Sequence, residues 1–242
     1  VKAAYELIAH RGNAAEFPEN TLPAFVSALS LGVRCLELDV HLSADGVPMV
    51  LHDHELQRTT GRPGTLFEHT AAELVELAAN EPQRFGGRFG EARLPRLTDV
   101  LALLRQHPDV TLFVEIKRAS LRRFGHDRVL GAVLQTIAPL STQCVVISFD
   151  LPAVAHARTQ GAVRIGWVLP DCGAQAHAQA EVLQPEFLFG DVEQLPPQGP
   201  LWPGPWHWAI YEVDEPDVAA ALAARGAPLI ETMAVRRMSA AR

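Results

Sequence analysis

The chain is poor in cysteine and in long apolar runs, and it has no excess of positive charge. Its three cysteines, Cys35, Cys144 and Cys172, are widely spaced, with no C-x-x-C and no clustering with histidine. That pattern argues against a disulfide framework or a cysteine-ligated zinc site and suits a reducing compartment. No apolar run reaches the roughly 18 residues of a membrane span. The alanine-rich stretch after Asp217 is broken by Arg225 and Gly226. Val1 to His10 shows neither a long apolar core nor an A-x-A-like cleavage site, so the expectation is a cytoplasmic protein with no integral membrane segment. A net charge of −7 and a pI near 5.8 speak against a nucleic-acid or anionic-membrane partner, since both demand a basic footprint. An anionic substrate would need positive charge supplied locally. Fixed-period repeats and low-complexity tracts are lacking too, and nothing sets the oligomeric state.

What is present is a large apolar fraction, 48% of 242 residues, enough to bury the core of one α/β domain spanning 1–242. Short β-branched runs predict strands at Leu7 to His10, Val33 to Val40, Val110 to Ile116, Cys144 to Phe149, Val163 to Val168, Glu186 to Phe189, Trp208 to Val213 and Pro228 to Glu231. Helix-like segments alternate with them: Thr21 to Leu31, Leu97 to His107, Asp127 to Ile137, Pro152 to Gln160, Ala174 to Leu183 and Asp217 to Arg225. Gly32, Gly161 and Gly226 sit where helices end before the next strand. This rhythm predicts a (β/α)8 TIM barrel. Asp45-Gly46 signals a hairpin turn that folds strand two back through Val47 to Leu51. Residues 54–96 depart from the rhythm and read as a small inserted subdomain after strand two, with a helix near Ala71 to Ala79.

Side chains two apart on a strand share a face, so Glu37 and Asp39 project together, as do Glu115 and Lys117. If His10 ends strand one and these pairs end strands two and three, all five meet at the C-terminal mouth, where barrel active sites form. Three converging carboxylates without a cation repel one another. An oxygen-donor set without cysteine suits a hard divalent metal, Mg2+ or Ca2+. Such an ion polarises a phosphoryl oxygen, Arg11 and Lys117 can neutralise phosphate charge, and two histidines, His10 and His52, can divide acid and base duties.

Read in order, His10-Arg11-Gly12, Pro18-Glu19-Asn20-Thr21, Glu37-Leu38-Asp39-Val40, Asp45-Gly46, His52-Asp53 with Leu56 and Arg58-Thr59-Thr60, Leu94-Pro95-Arg96-Leu97 and Val114-Glu115-Ile116-Lys117 resemble the glycerophosphodiester phosphodiesterase family. The specific motifs lie in residues 8 to 117; beyond Phe149 the likeness is mainly in the alternation of strands and helices. The resemblance implies a TIM barrel that hydrolyses small-molecule glycerophosphodiesters to sn-glycerol 3-phosphate and an alcohol, within lipid and glycerol metabolism. It implies His10 and His52 as the acid/base pair, Glu37, Asp39 and Glu115 as metal ligands, and Arg11 and Lys117 on the phosphate. It also implies a route in which a glycerol hydroxyl attacks phosphorus to give a cyclic phosphate, as an alternative to direct attack by water.

The last quarter departs from the family pattern. Trp208-Ala209-Ile210-Tyr211 and Glu231-Thr232-Met233-Ala234 stand where the family often has Trp-Thr-Val-Asn and Thr-Asp-x-Pro. Trp208 and Phe149 are candidate substrate-binding walls, and Glu212 or Glu231 candidate replacements for the lost polar groups. The other eight histidines read as ordinary surface or core residues. The proline- and tryptophan-rich run Leu195 to Trp208 reads as a stiff loop. A sharper reading makes it an apolar rim for an acyl chain, which would turn the activity into a lysophospholipase D. A third reading is a non-catalytic phosphodiester-binding barrel, although a pure binder has no need of both histidines.

Overall fold

Both faces of each barrel strand have something to bury, which is why the eight expected strand segments form a closed parallel sheet. The strands are Glu6–Ala9 (β1), Cys35–Leu42 (β2), Thr111–Ile116 (β4), Cys144–Ser148 (β5), Ile165–Val168 (β6), Phe187–Asp191 (β7), His207–Tyr211 (β8) and Leu229–Thr232 (β9), with Pro48–Val50 (β3) folded back antiparallel on β2. In the computed structural model, which describes residues 5–241, the eight pair in chain order, and β1 pairs with both β2 and β9. That closes a (β/α)8 barrel. Val1 to Ala4 and Arg242, and with them part of the leader-peptide expectation and the two ends of the single-domain assignment, lie outside the described residues.

β2 shows the division of labour. Leu36, Leu38, Val40 and Leu42 face the outer layer, Cys35, Glu37 and Asp39 face the lumen, His41 packs against Ser120, His54 and Phe67, and all eight residues are buried. The lower lumen is filled by an apolar plug including Ile8, Cys35, Phe113, Val145, Phe187 and Leu229. Within it Phe113 meets Phe187 and Phe189 edge-on, with ring centroids 5.0 and 5.2 Å apart. Polar lumen side chains are thereby confined to the C-terminal mouth.

The outer layer consists of helices Leu22–Ser30 (α1), Leu97–Leu104 (α5), Arg118–Phe124 (α6), His126–Ile137 (α7), Leu151–Thr159 (α8), Ala174–Leu183 (α9), Pro216–Ala224 (α10) and Val235–Ala240 (α11). Two of these, α6 and α11, are additions to the sequence reading. α6 starts directly at Lys117, so strand and helix run together without a turn signal, and α11 is short, anchored by Val235 and Met238. Residues 54–96 hold three one-turn α-helices, Gln57–Thr60 (α2), Ala71–Leu74 (α3) and Pro82–Phe85 (α4), and the 3-10 turn Leu66–Glu68. They surround a small apolar cluster of their own, Leu51, Leu56, Leu66, Leu74 and Leu94 among it. The expected Ala71 to Ala79 helix stops after α3.

No α-helix connects β7 to β8; only the single 3-10 turn Val192–Gln194 does. The proline-rich run takes that place on the barrel flank: Leu195, Leu201 and Trp206 are buried in the outer core, and Trp202 stacks on His177 of α9 at 4.5 Å. Its carbonyls at Pro196 and Gly199 accept from Arg225, at the end of α10. The run is wall rather than rim, which corrects the acyl-chain reading. Among the described residues, no helix is long and apolar enough to cross a membrane.

Gly12 and Gly32 both have φ of +82°, but a Cβ on Gly12 would lie 2.7 Å from the Ala24 backbone carbon, whereas one on Gly32 would meet nothing within 4 Å. Gly32→Ala is expected to cost about 1–2 kcal/mol, the left-handed backbone penalty alone. Gly12→Ala adds an overpacking cost and should lose on the order of 3 kcal/mol or more. Urea unfolding of the two variants checks this; equal losses would show that the approach of α1 is not what requires Gly12.

Candidate active site

Strand register places the acidic residues together. Asp39 on β2 lies directly beside Glu115 on β4, Glu37 is one inward position below Asp39, and His10 follows the last residue of β1. Of these, His10, Glu37 and Glu115 line, with Arg11, Lys117, His52, Phe149, Tyr211, Glu212 and Glu231, a cavity of about 140 Å³ at the mouth, floored by Ile147, Val168 and Phe189. At well under the roughly 300 Å³ of a typical ligand pocket, it suits the polar end of a small substrate.

Asp39 is fully buried and makes the densest set of polar contacts. Lys117 Nζ lies 3.0 Å from Oδ1, Arg11 Nε lies 3.2 Å from Oδ2, and Asn20 Nδ2 donates to Oδ2 at 2.8 Å. Burial alone would raise its pKa, but Lys117 and Arg11 hold the carboxyl well below the usual range. Lys117 also donates to Glu115 at 2.9 Å. Arg11 has a left-handed backbone, φ 56°, which turns its N–H onto Glu37 Oε2 at 3.1 Å while its guanidinium reaches Glu19 at 3.2 Å.

The two histidines are held differently. His52 Nδ1 is 2.7 Å from Asp53 Oδ1, and Asp53 Oδ2 accepts from Arg58 Nε at 2.5 Å. Arg58 in turn forks onto both oxygens of Glu19 at 2.8 and 2.7 Å, and Glu19 also holds Arg11. The backbone N–H of Glu19 donates to the buried Glu81, whose other oxygen accepts from Arg84 of α4 at 2.6 Å. Segment 54–96 is thereby tied to both histidine loops. His41, read as an ordinary core residue, supports His52 from beneath: it is buried, with Nε2 3.0 Å from the His52 carbonyl and Nδ1 3.0 Å from Ser120 Oγ. His10 has less support; its Nε2 is 4.0 Å from Glu37 Oε2 and its Nδ1 has no hydrogen-bond partner.

Burial lowers the His10 imidazole to about 3, with help from Arg11, and burial also lowers His52. Both rings are neutral near pH 7. Burial and the surrounding carboxylates push Glu37 and Glu231 well above the normal range, and burial raises Glu115 to about 7. Four lumen carboxylates thus face only two cations, and Glu37 Oε1 and Glu231 Oε1 are buried without hydrogen-bond partners. Glu37, Asp39 and Glu115 offer one oxygen each, all within 4.8 Å of one another, which fits a hard divalent cation.

Of the residues singled out by sequence, Trp208 does not reach the cavity. On β8, Ala209 and Tyr211 face the lumen, so Trp208 faces the outer core, where its Nε1 donates to the Trp202 carbonyl at 3.0 Å. Tyr211 lines the mouth instead. Phe149 does border the cavity, with Arg118 over its ring at 5.2 Å. Glu231 reads in the sequence only as a candidate replacement for a lost polar group, yet the pairing of Ile8 with Glu231 places it in the lumen beside His10. Asp53, Arg58, Glu19 and Asn20 belong to the sequence motifs without an assigned role; Arg58 and Glu19 are 39 residues apart and Asn20 and Asp39 are 19 apart, whereas Asp53 holds its neighbours His52 and Arg58.

These features define a parallel (β/α)8 barrel with a buried acidic and cationic centre at its C-terminal mouth. Residues 10–161 match the glycerophosphoryl diester phosphodiesterase family, and the chain belongs to that family. It is 32% identical over 157 residues to mouse glycerophosphodiester phosphodiesterase 1, a match covering 63% of this chain and 45% of that protein. It is 40% identical over 111 residues to a glycerophosphodiester phosphodiesterase of Caldanaerobacter subterraneus, covering 46% of this chain and 44% of the other. The matched region thus spans less than half the length of these curated relatives. Among solved structures, an Oleispira antarctica phosphodiesterase in complex with the product sn-glycerol-3-phosphate superimposes with a TM-score of 0.83 at 21% identity, covering 98% of this chain and 96% of that one. Glycerophosphodiester phosphodiesterase from Agrobacterium tumefaciens gives 0.78 at 24%, covering 98% and 99%. These two likenesses establish the shared fold.

Burial pushes Asp53 up, but Arg58 and His52 override it and hold the carboxyl down at about 2. A depressed folded-state pKa gives stability that is fully present above the unfolded value, roughly 3.9, and is lost as pH falls through about 2. The melting-temperature gap between the native chain and Asp53→Asn should therefore be constant above about pH 4 and narrow below it. A gap unchanged down to pH 2 would mean that Asp53 is not held as an anion.

Proposed function

We propose that the chain hydrolyses glycerophosphodiesters to sn-glycerol 3-phosphate and an alcohol, with one Mg2+ or Ca2+ held by Glu37, Asp39 and Glu115. The observation that carries this reading is the convergence of those carboxylates, Arg11 and Lys117 between two neutral imidazoles, in a mouth that is short of positive charge. The donor set fits the ion: a buried Glu37 oxygen has no partner, and burial together with neighbouring carboxylates raises Glu37 and Glu115, a cost that a bound cation would relieve. When bound, the cation supplies Lewis-acid stabilisation of charge on the phosphoryl group.

The chain's own residues do the rest. Arg11 and Lys117 bring positive charge to the phosphate and reduce the repulsion it meets from the carboxylates. One neutral histidine takes the proton from the attacking oxygen and becomes an imidazolium; the other gives the departing alkoxide a proton that it has first taken up from solvent, and return of the first proton to solvent restores both rings, so the net reaction consumes one water. Asp53 occupies His52 Nδ1, which leaves Nε2 as the atom that exchanges protons, and gives the imidazolium a counter-ion. A glycerol hydroxyl or a water can serve as attacker, since each presents one proton for removal. Phe149 and Tyr211 wall the small cavity on its apolar side. The lysophospholipase D reading loses its motive, because none of Leu195 to Trp208 borders the cavity.

Metal-stripped protein should release glycerol 3-phosphate from glycerophosphodiesters only when Mg2+, Ca2+ or Mn2+ is restored, and Glu37→Ala should stay silent. His10→Ala and His52→Ala should each lose at least about 100-fold in turnover while still binding the metal. Wild-type turnover in either variant would remove that histidine from the acid/base pair. A metal-binding protein that releases no alcohol from any of the diesters would favour the binding-only barrel.

A further inference from the structure

The carboxylate that distinguishes this mouth is Glu231. It is 3% exposed, it reaches the lumen from β9, and its Oε1 has no hydrogen-bond partner. His10 and Glu37, also buried, stand beside it, and His10 Nδ1 and Glu37 Oε1 are unpartnered as well. One ligand atom from each of His10, Glu37 and Glu231 falls within 4.8 Å of the others. Three unsatisfied polar groups out of contact with water are costly to leave so, and their chemistry differs from that of the neighbouring group. Glu37, Asp39 and Glu115 offer oxygen alone, whereas here a neutral imidazole nitrogen joins two carboxylates. One nitrogen and two oxygens form a three-ligand set of the kind that holds zinc with a position left for water.

We propose that His10, Glu37 and Glu231 form a second cation site, sharing Glu37 with the oxygen-only group and selecting a borderline ion such as Zn2+ over Mg2+ or Ca2+. The two groups share Glu37 and differ in countercharge: Lys117 and Arg11 balance Asp39, while no cationic side chain forms an ion pair with Glu231 among the described residues. Occupation would engage a ring nitrogen of His10. On the reading of His10 as a proton carrier, Zn2+ therefore inhibits; the binding itself does not depend on that reading.

The test is equilibrium dialysis of metal-stripped protein against Zn2+ in saturating Ca2+, with both metals counted by elemental analysis. The wild-type chain should take up one Zn2+ that Glu231→Gln binds at least tenfold more weakly, with Ca2+ retained in both. X-ray absorption at the zinc edge of the wild-type protein should show imidazole nitrogen among the oxygen ligands, a readout that stands even if the variant misfolds. Displacement of Ca2+ one for one, equal Zn2+ affinity in Glu231→Gln, an all-oxygen shell, or no uptake would each overturn the proposal. Where the enzyme turns over, Zn2+ should inhibit the wild-type chain at lower concentration than Glu231→Gln; uptake without inhibition would count against His10 as proton carrier and leave the site standing.

Discussion

Asp39 is fully buried, and that single fact organises the centre. A carboxylate buried this deeply persists as an anion only with opposite charge and hydrogen-bond donors at hand. Lys117, Arg11 and Asn20 supply them from three separate segments. Each of those segments is set by the barrel: Lys117 by the run of β4 into α6, Asn20 by the start of α1, Arg11 by the exit of β1. Charge satisfaction at one atom group therefore positions the loops that carry the histidines.

The closed sheet makes this arrangement affordable in energetic terms. The apolar plug below and the helix layer outside exclude water from the polar groups, so their mutual interactions act in a medium of low polarity. The same exclusion is why Glu37, Glu115 and Glu231 have raised pKa values: a lumen that strengthens attraction also strengthens repulsion.

Sequence periodicity exposed the strand order because parallel strands buried on two faces leave nearly continuous apolar runs. It exposed the central residues because i and i+2 spacing survives in Glu37-x-Asp39 and Glu115-x-Lys117. It failed at Trp208, where both registers of β8 offer an aromatic residue and nothing local says which faces inward. It also missed what depends on partners far apart in the chain. Arg58 reads as a surface arginine until Glu19, 39 residues away, is seen to receive its fork. His41 reads as filler until its bond to the His52 carbonyl is known. Helix α6 was hidden because it begins at Lys117, directly after β4, with no side-chain cap.

Glu19 accepts from Arg11 on one side and from Arg58 on the other, and its backbone leans on Glu81. The two arms that flank the cavity are thus moored to one post, which itself stands on the segment between β3 and α5. Access to the mouth becomes a collective property. Losing the Arg58 contact would also leave Glu19, and through it Arg11, less constrained, so the two flanks of the cavity are coupled through residues 54–96, none of which borders it.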